Sequence, residues 1–183
     1  MATQKGERRR QALTEAAGEL LREGGFDALR HRAVAERAGL PLASTTYYFD
    51  SLDDLITAAV EHTSRQDLAA GRAALESAAE PLDVVLDQLL GSASRDGGLD
   101  AVLLRYEQLV GAGRRPYLAP LMRRLRGELD GLLAEAFARA GHPLDADGLR
   151  RVVETVDGAV ISALIEAAPD PRAVARAALL RSL

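Results

Sequence analysis

The residues whose types and spacing could do chemistry cluster in one short run, Ala43-Ser44-Thr45-Thr46-Tyr47-Tyr48-Phe49. It carries hydroxyls and phenols, and no charged residue lies between Ala38 and Phe49. A surface helix normally spends its outer face on charged side chains. Thr45 and Phe49 are four apart and are expected to turn inward together, which leaves Ser44, Thr46, Tyr47 and Tyr48 largely outside. Such donors beside the small Ala43 suit close approach to phosphate oxygens and base edges. Tyr47 fits packing against a neighbouring helix equally well, whereas Tyr48 fits contact better. Other chemistries fare worse. The absence of cysteine excludes disulfides, thiolate nucleophiles and zinc–thiolate sites. His31, His62 and His142 are scattered without metal-ligand spacing. No Ser/His/Asp set, paired carboxylate site or glycine-rich phosphate loop stands out. Glu107 and Glu154 fall on expected helices, where glutamates usually form solvated faces. The expectation is therefore a non-enzyme with no metal and no cofactor.

The elements that must position this run are short helices. Arg32 to Ala38 gives a small apolar face of Val34, Ala35 and Ala38, followed by a turn at Gly39 and Leu40. Pro41 suits the first position of the next helix, which runs to about Phe49. Two short helices joined by a glycine-containing turn are the plan of a helix-turn-helix, whose second helix enters the DNA major groove. Upstream, Lys5 to Glu23 repeats Leu13, Ala16, Ala17, Leu20 and Leu21 at helical spacing and stops at Gly24-Gly25. Arg8, Arg9 and Arg10 at its start fit a solvated surface or a phosphate-contacting arm. Downstream, Ser51-x-x-Asp54 is a capping box for a helix expected to reach about Ala69.

Length, composition and charge agree with a compact soluble protein. The chain of 183 residues is 48% hydrophobic and 27% charged, ordinary for a globular fold. Alanine, leucine, arginine and glutamate abound and no alternating strand pattern occurs, so an all-α fold follows. Net charge is −4. Residues 1–49 hold eight Lys/Arg against six Asp/Glu, a balance of +2, and the remainder holds 15 against 21, a balance of −6. That asymmetry has the sign of a basic head on an acidic body. No apolar run is long enough to span a bilayer and the N-terminus lacks a signal-peptide core, so a cytoplasmic protein with no membrane partner is expected.

The remaining two thirds read as a helical bundle. Pro81 opens a helix with Val84, Val85, Leu86, Leu89 and Leu90, with the break expected at Gly97-Gly98. Leu99 to Val110 follows, expected to end at Gly111 and Gly113, and then a long helix from about Tyr117 to Ala140. Leu103, Tyr106, Tyr117 and Met122 on these helices could line a ligand pocket or serve as ordinary core. A wide β-branched stripe (Leu149, Val152, Val153, Val156, Val160, Ile161, Leu164) precedes a last helix starting at Asp170-Pro171 with Val174, Ala177, Ala178 and Leu179. This pair could pack within one chain or join its counterpart in a four-helix dimer interface. Helix-turn-helix readers commonly bind two half-sites as dimers, which favours the second arrangement. Val153, Val156, Val160, Leu164, Val174 and Ala178 are then the expected interface.

Residues from about Gly6 to His62 resemble the N-terminal domain of the TetR (tetracycline repressor) family of bacterial transcriptional regulators. The resemblance rests on Glu23-Gly24-Gly25-Phe26, Val34-Ala35, Ala38-Gly39-Leu40, Thr46-Tyr47-Tyr48-Phe49, Ser51 and Asp53-Asp54-Leu55, in that order and spacing. It implies a domain at 1–51 with its recognition helix at about 41–49, and a ligand-binding and dimerisation domain at 52–183. It further implies a homodimeric repressor on double-stranded palindromic operator DNA, released by a small-molecule effector. Arg32 matches a position that often contacts base or phosphate, and Ser44, Thr46, Tyr47 and Tyr48 match recognition-helix positions, so DNA contact is expected from these residues and Ala43. The chain departs from the family where Pro41, Leu42, Asp50 and Leu52 stand at places often held by Lys or Ser. Fewer phosphate contacts, and a shallower salt dependence, follow from that. The competing reading is a helical-bundle enzyme or interaction protein without DNA binding. The uncharged outer face of the third helix speaks against it.

Overall fold

The computed structural model describes residues 4–77 and 80–183. These form nine α-helices and three 3-10 turns, with no strand among the described residues. The all-α expectation is met because the sequence offers helical periodicity throughout and places Gly or Pro at nearly every break. No described helix is long and apolar enough to cross a membrane.

The chain packs into two compact units, 1–66 with 108–122, and 67–107 with 123–183. The first contains α1 (Gln4–Gly24), a 3-10 turn (Gly25–Ala28), α2 (His31–Arg37), α3 (Leu42–Tyr48) and the first part of α4 (Leu52–Glu76). It also takes in the last turns of α6 (Gly98–Gly113), the 3-10 turn Pro116–Leu118 and the start of α7 (Ala119–Arg139). Its core is Leu13, Ala17, Leu21, Leu29, Val34, Thr45, Phe49 and Leu55, joined by Leu118 from the later segment. α2 and α3 pack on each other and both pack on α1. Arg37 of α2 also reaches Glu19 and Glu23 of α1 at 3.2 and 2.7 Å. These are exposed pairs that orient more than they stabilise.

The second unit holds the rest of α4 and α6, α5 (Pro81–Leu90), a 3-10 turn (Ser92–Arg95), most of α7, α8 (Ala146–Ile165) and α9 (Pro171–Arg181). α8 and α9 pack closely along their length, and α9 also packs on α5. Asp145 and Asp170 cap them, accepting from the amides of Gly148 at 2.7 Å and Ala173 at 2.9 Å. Arg172 pins α9 to α5. Its guanidinium donates to Ser94 Oγ at 2.8 Å and pairs with Asp87 at 2.8 Å and Asp83 at 3.3 Å.

Several boundaries differ from the expected ones. α4 continues through Gly71 to Glu76, well past Ala69, because no proline interrupts it and a lone glycine is tolerated inside a helix. α5 ends at Gly91, whose positive φ closes the helix, and Gly97-Gly98 instead stands at the opening of α6. α6 runs through Gly111 to Gly113. The compact units divide within α4, at 66/67, rather than at its start. The first turns of α4 add Leu55, Ile56, Ala59 and Val60 to buried positions, and Arg22 of α1 donates to Gln66 at 2.8 Å.

Candidate nucleic-acid interface and regulatory body

The turn that presents α3 is built from its own backbone. Gly39 takes φ +64°, a conformation that L side chains rarely adopt. Its amide and that of Leu40 return to the carbonyls of Glu36 and Ala35, which closes α2. Pro41 stands just before α3 with φ −57°, one position earlier than expected, and its carbonyl accepts the Ser44 amide at 2.8 Å. Thr45 is fully buried, and its hydroxyl is satisfied by the Leu42 carbonyl at 2.7 Å. Phe49 ends the helix in an extended conformation and is buried beneath the Arg10 guanidinium, 5.1 Å from the ring centroid. The inward pair Thr45 and Phe49 thus fixes the rotation of α3 about its axis.

That rotation leaves Ala43, Thr46 and Tyr47 exposed and Ser44 and Tyr48 half-buried. Tyr47, not Tyr48, is the outermost aromatic, at 80% exposure. The two rings meet edge to face at 4.8 Å, so Tyr48 backs Tyr47 and stiffens it. Arg32 is exposed on α2. The sequence reading passed over Leu42. It stands 46% exposed at the start of α3, on a face with no charge to repel a base edge. An apolar side chain at the first position of a polar-faced helix was the available signal. Arg8 and Arg9 are exposed near the start of α1.

In the second unit, Tyr106 is buried and donates to Asp157 Oδ1 at 2.7 Å. Burial, then the hydrogen bond and charge of Asp157, hold its phenol far above the ordinary range. Asp157 has no ion pair among the described residues. Leu103 lies exposed on the same helix. Tyr117 and Met122 belong to the first unit and are half-buried there. The four expected pocket residues therefore divide between the units.

Of the expected interface residues, Val153, Val156, Val160 and Ala178 are 0–2% exposed in the single chain. They form the seam between α8, α9 and the rest of the unit. Leu164 and Val174 are half-buried at its margin. The opposite face carries Glu154, Gly158, Ile161, Ser162 and Ile165 on α8, and Ala177 and Leu180 on α9, all exposed. The β-branched stripe drew the reading inward because a core and an interface share composition. The distinguishing signal was Ile161 and Ile165, four apart, at a phase that leaves them off the valine stripe.

A short uncharged helix presented by a glycine turn, in a chain that also holds a helical body, defines a helix-turn-helix DNA-binding regulator. Residues 13–59 match the model for bacterial regulatory proteins of the tetR family, and residues 76–183 match the model for the tetracyclin repressor-like C-terminal domain. The chain belongs to the TetR family and is a DNA-binding, ligand-responsive transcriptional regulator. No curated protein matches it in sequence. Among solved structures it is similar to the multidrug binding protein EbrR complexed with imidazole. Identity is 30%, coverage is 96% of this chain and 90% of that one, and the TM-score is 0.68. EbrR complexed with malachite green gives 33% identity, coverage of 96% and 98%, and a TM-score of 0.62. EbrR has also been solved with proflavin and with ethidium. A TetR family member from Streptomyces coelicolor A3, SCO1917, shares 30% identity over 96% and 98% of the chains, with a TM-score of 0.62.

Proposed function

We propose that the protein is a homodimeric repressor that holds a palindromic operator and releases it when a cationic aromatic compound binds the body. The observation that carries this reading is the uncharged outer face of α3, held in register by buried Thr45 and Phe49. In the major groove Thr46 and Ser44 offer hydroxyls, Tyr47 and Tyr48 offer phenols, and Leu42 and Ala43 suit a thymine methyl. Arg32, with Arg8 and Arg9, supplies the phosphate attraction that α3 lacks. The second copy docks on Ile161, Ile165 and Leu180, where the small Gly158 and Ala177 let helices approach closely. These side chains expose apolar surface with no partner in the single chain. Such a function is carried by binding and needs no catalytic group.

The ligand class is supported by Asp157 and by the neighbouring structures. A half-buried carboxylate with one phenol donor and no cation is an incomplete electrostatic site. Ethidium, proflavin and malachite green, bound by EbrR, are flat organic cations. Here Tyr106 and Leu103, on the helix that carries the phenol donor, provide apolar surface for such a ligand. The test is displacement of a fluorescent operator by ethidium. Wild type releases DNA as ethidium rises, and Asp157→Asn needs a higher concentration while its drug-free operator affinity is unchanged. Operator binding indifferent to ethidium, proflavin and malachite green overturns this ligand class. An equal response from Asp157→Asn removes Asp157 from the site.

A further inference from the structure

The segment that ends α6 and follows it is built into the DNA-reading unit, far in sequence from α1–α4. It grips that unit at both ends of the helix-turn-helix. At the leading end, Gln108 Nε2 donates to the Leu21 carbonyl at 2.6 Å. Leu21 O is one of the last four carbonyls of α1, which have no partner within the helix. Phe26, in the turn that leads into α2, is held from two sides. Gly111 comes so close that a Cβ there would sit 3.1 Å from the ring, and the Arg115 guanidinium covers the ring at 3.9 Å from its centroid. Arg115 is itself fixed by donating to the Gly111 carbonyl at 2.8 Å. At the trailing end, the Tyr117 phenol is held above its ordinary value by burial and then by the charge and hydrogen bond of Asp53, in the first turn of α4, against the lowering influence of Arg115. Leu118, next in sequence, is fully buried.

We propose that residues 108–117 form a brace that sets the attitude of the recognition helix, with Gln108, Arg115 and Tyr117 as positioning residues for operator binding. The brace touches the chain just before α2 and just after α3. A shift between its two grips rotates everything between them, which is the helix-turn-helix itself. Arg115 is committed to a ring and a carbonyl, so its charge serves geometry rather than phosphate. A Cβ at Gly111 would force the Phe26 ring to give by a few tenths of an ångström, so the missing side chain favours this close approach. α6 is one unbroken helix from Gly98 to Gly113.

The inference rests on the helix-turn-helix reading, and the two can fail separately. Wild-type protein that enriches no sequence from random DNA sinks the reading itself. With an operator in hand, Arg115→Met, Gln108→Met and Tyr117→Phe are compared by fluorescence anisotropy on operator and on an unrelated duplex, across a salt series. Each is expected to weaken operator binding about tenfold, because a smaller fraction of heads holds the competent orientation. Affinity for unrelated DNA and the salt slope stay as in wild type. Arg115→Lys, which keeps a cation over Phe26, recovers most of the loss. If Arg115→Met instead lowers the salt slope by about one and weakens both duplexes alike, Arg115 is a phosphate contact and the brace is refuted. Operator affinity unchanged in all three variants refutes it equally. Tyr117→Phe removes a single hydroxyl and leaves the fold intact, so a failure of the arginine variant to fold does not remove the test.

Discussion

The exposed α8–α9 face proposed for dimerisation makes a quantitative prediction. In the single chain Ile165 is 80% exposed and Ile161 45% exposed. Full burial of an isoleucine side chain is worth about 2 kcal/mol. Weighted by the exposure still available, the two contribute about 1.6 and about 0.9 kcal/mol per chain. Two-fold symmetry doubles this to about 5 kcal/mol per dimer. The double variant Ile161→Ala/Ile165→Ala, which removes most of that apolar area, should raise the dimer dissociation constant about a thousandfold. Sedimentation over a dilution series reads the constant, and circular dichroism confirms that the exposed positions leave the monomer fold intact. The control is Val156→Ala in the buried seam. It should lower unfolding free energy by about 2 kcal/mol, from the lost methyls and the cavity, with a much smaller change in dimerisation. The reasoning is refuted if the double isoleucine variant dimerises as wild type does. It is refuted too if Val156→Ala dissociates the dimer without destabilising the chain.

Three further outcomes follow from the same geometry. Tyr47→Ala should cost about 1–3 kcal/mol of operator affinity with no loss of thermal stability, while Tyr48→Phe, which keeps the ring contact, costs less, as read by gel shift and calorimetry. Arg172→Ala should destabilise the body by about 1.5 kcal/mol in urea, since its side chain is 13% exposed and its hydrogen bonds are lost, while Asp83 keeps Arg176 and Asp87 keeps Arg95. The raised Tyr106 phenol predicts a pH effect of definite sign. Its stabilising contribution is present below the ordinary tyrosine value of 10.0 and is lost as pH rises above it, where the unfolded chain ionises first. Tyr106→Phe should therefore show a flatter fall in unfolding free energy between pH 9 and 11 than wild type.

The sequence carried the local structure and much of the reading head, because both are written in short-range patterns. Gly39, Pro41, Ser51 and the four-residue spacing of Thr45 and Phe49 each act over one helical turn, and each behaves in the structure as its chemistry dictates. Tyr47 and Tyr48 were harder. Adjacent residues point about 100° apart on a helix, and which of them faces out depends on the rotation fixed by Thr45 and Phe49. The α8–α9 stripe misled for a physical reason: valines bury equally well against their own chain or another. Only the surrounding helices decide, and their packing is not periodic information. Gln108, Gly111 and Arg115 were unreadable as a group, because their partners Leu21 and Phe26 lie more than eighty residues away. Gly111 looked like a helix stop, yet its missing side chain serves a tertiary contact.

Buried Thr45 and Phe49 fix the rotation of α3, and the brace, the α8–α9 docking face and the ligand anchor at Asp157 are the proposals built around it. The central claim is that the uncharged face from Leu42 to Tyr48 reads a two-fold symmetric DNA sequence. The most direct measurement is selection from a random duplex pool on the purified protein, at low and moderate salt, repeated with Tyr47→Ala. The account predicts an enriched palindrome whose half-sites lie about one helical turn or a multiple of it apart, with enrichment lost in the variant. No enriched sequence at either salt, or the same palindrome enriched equally by Tyr47→Ala, would contradict it.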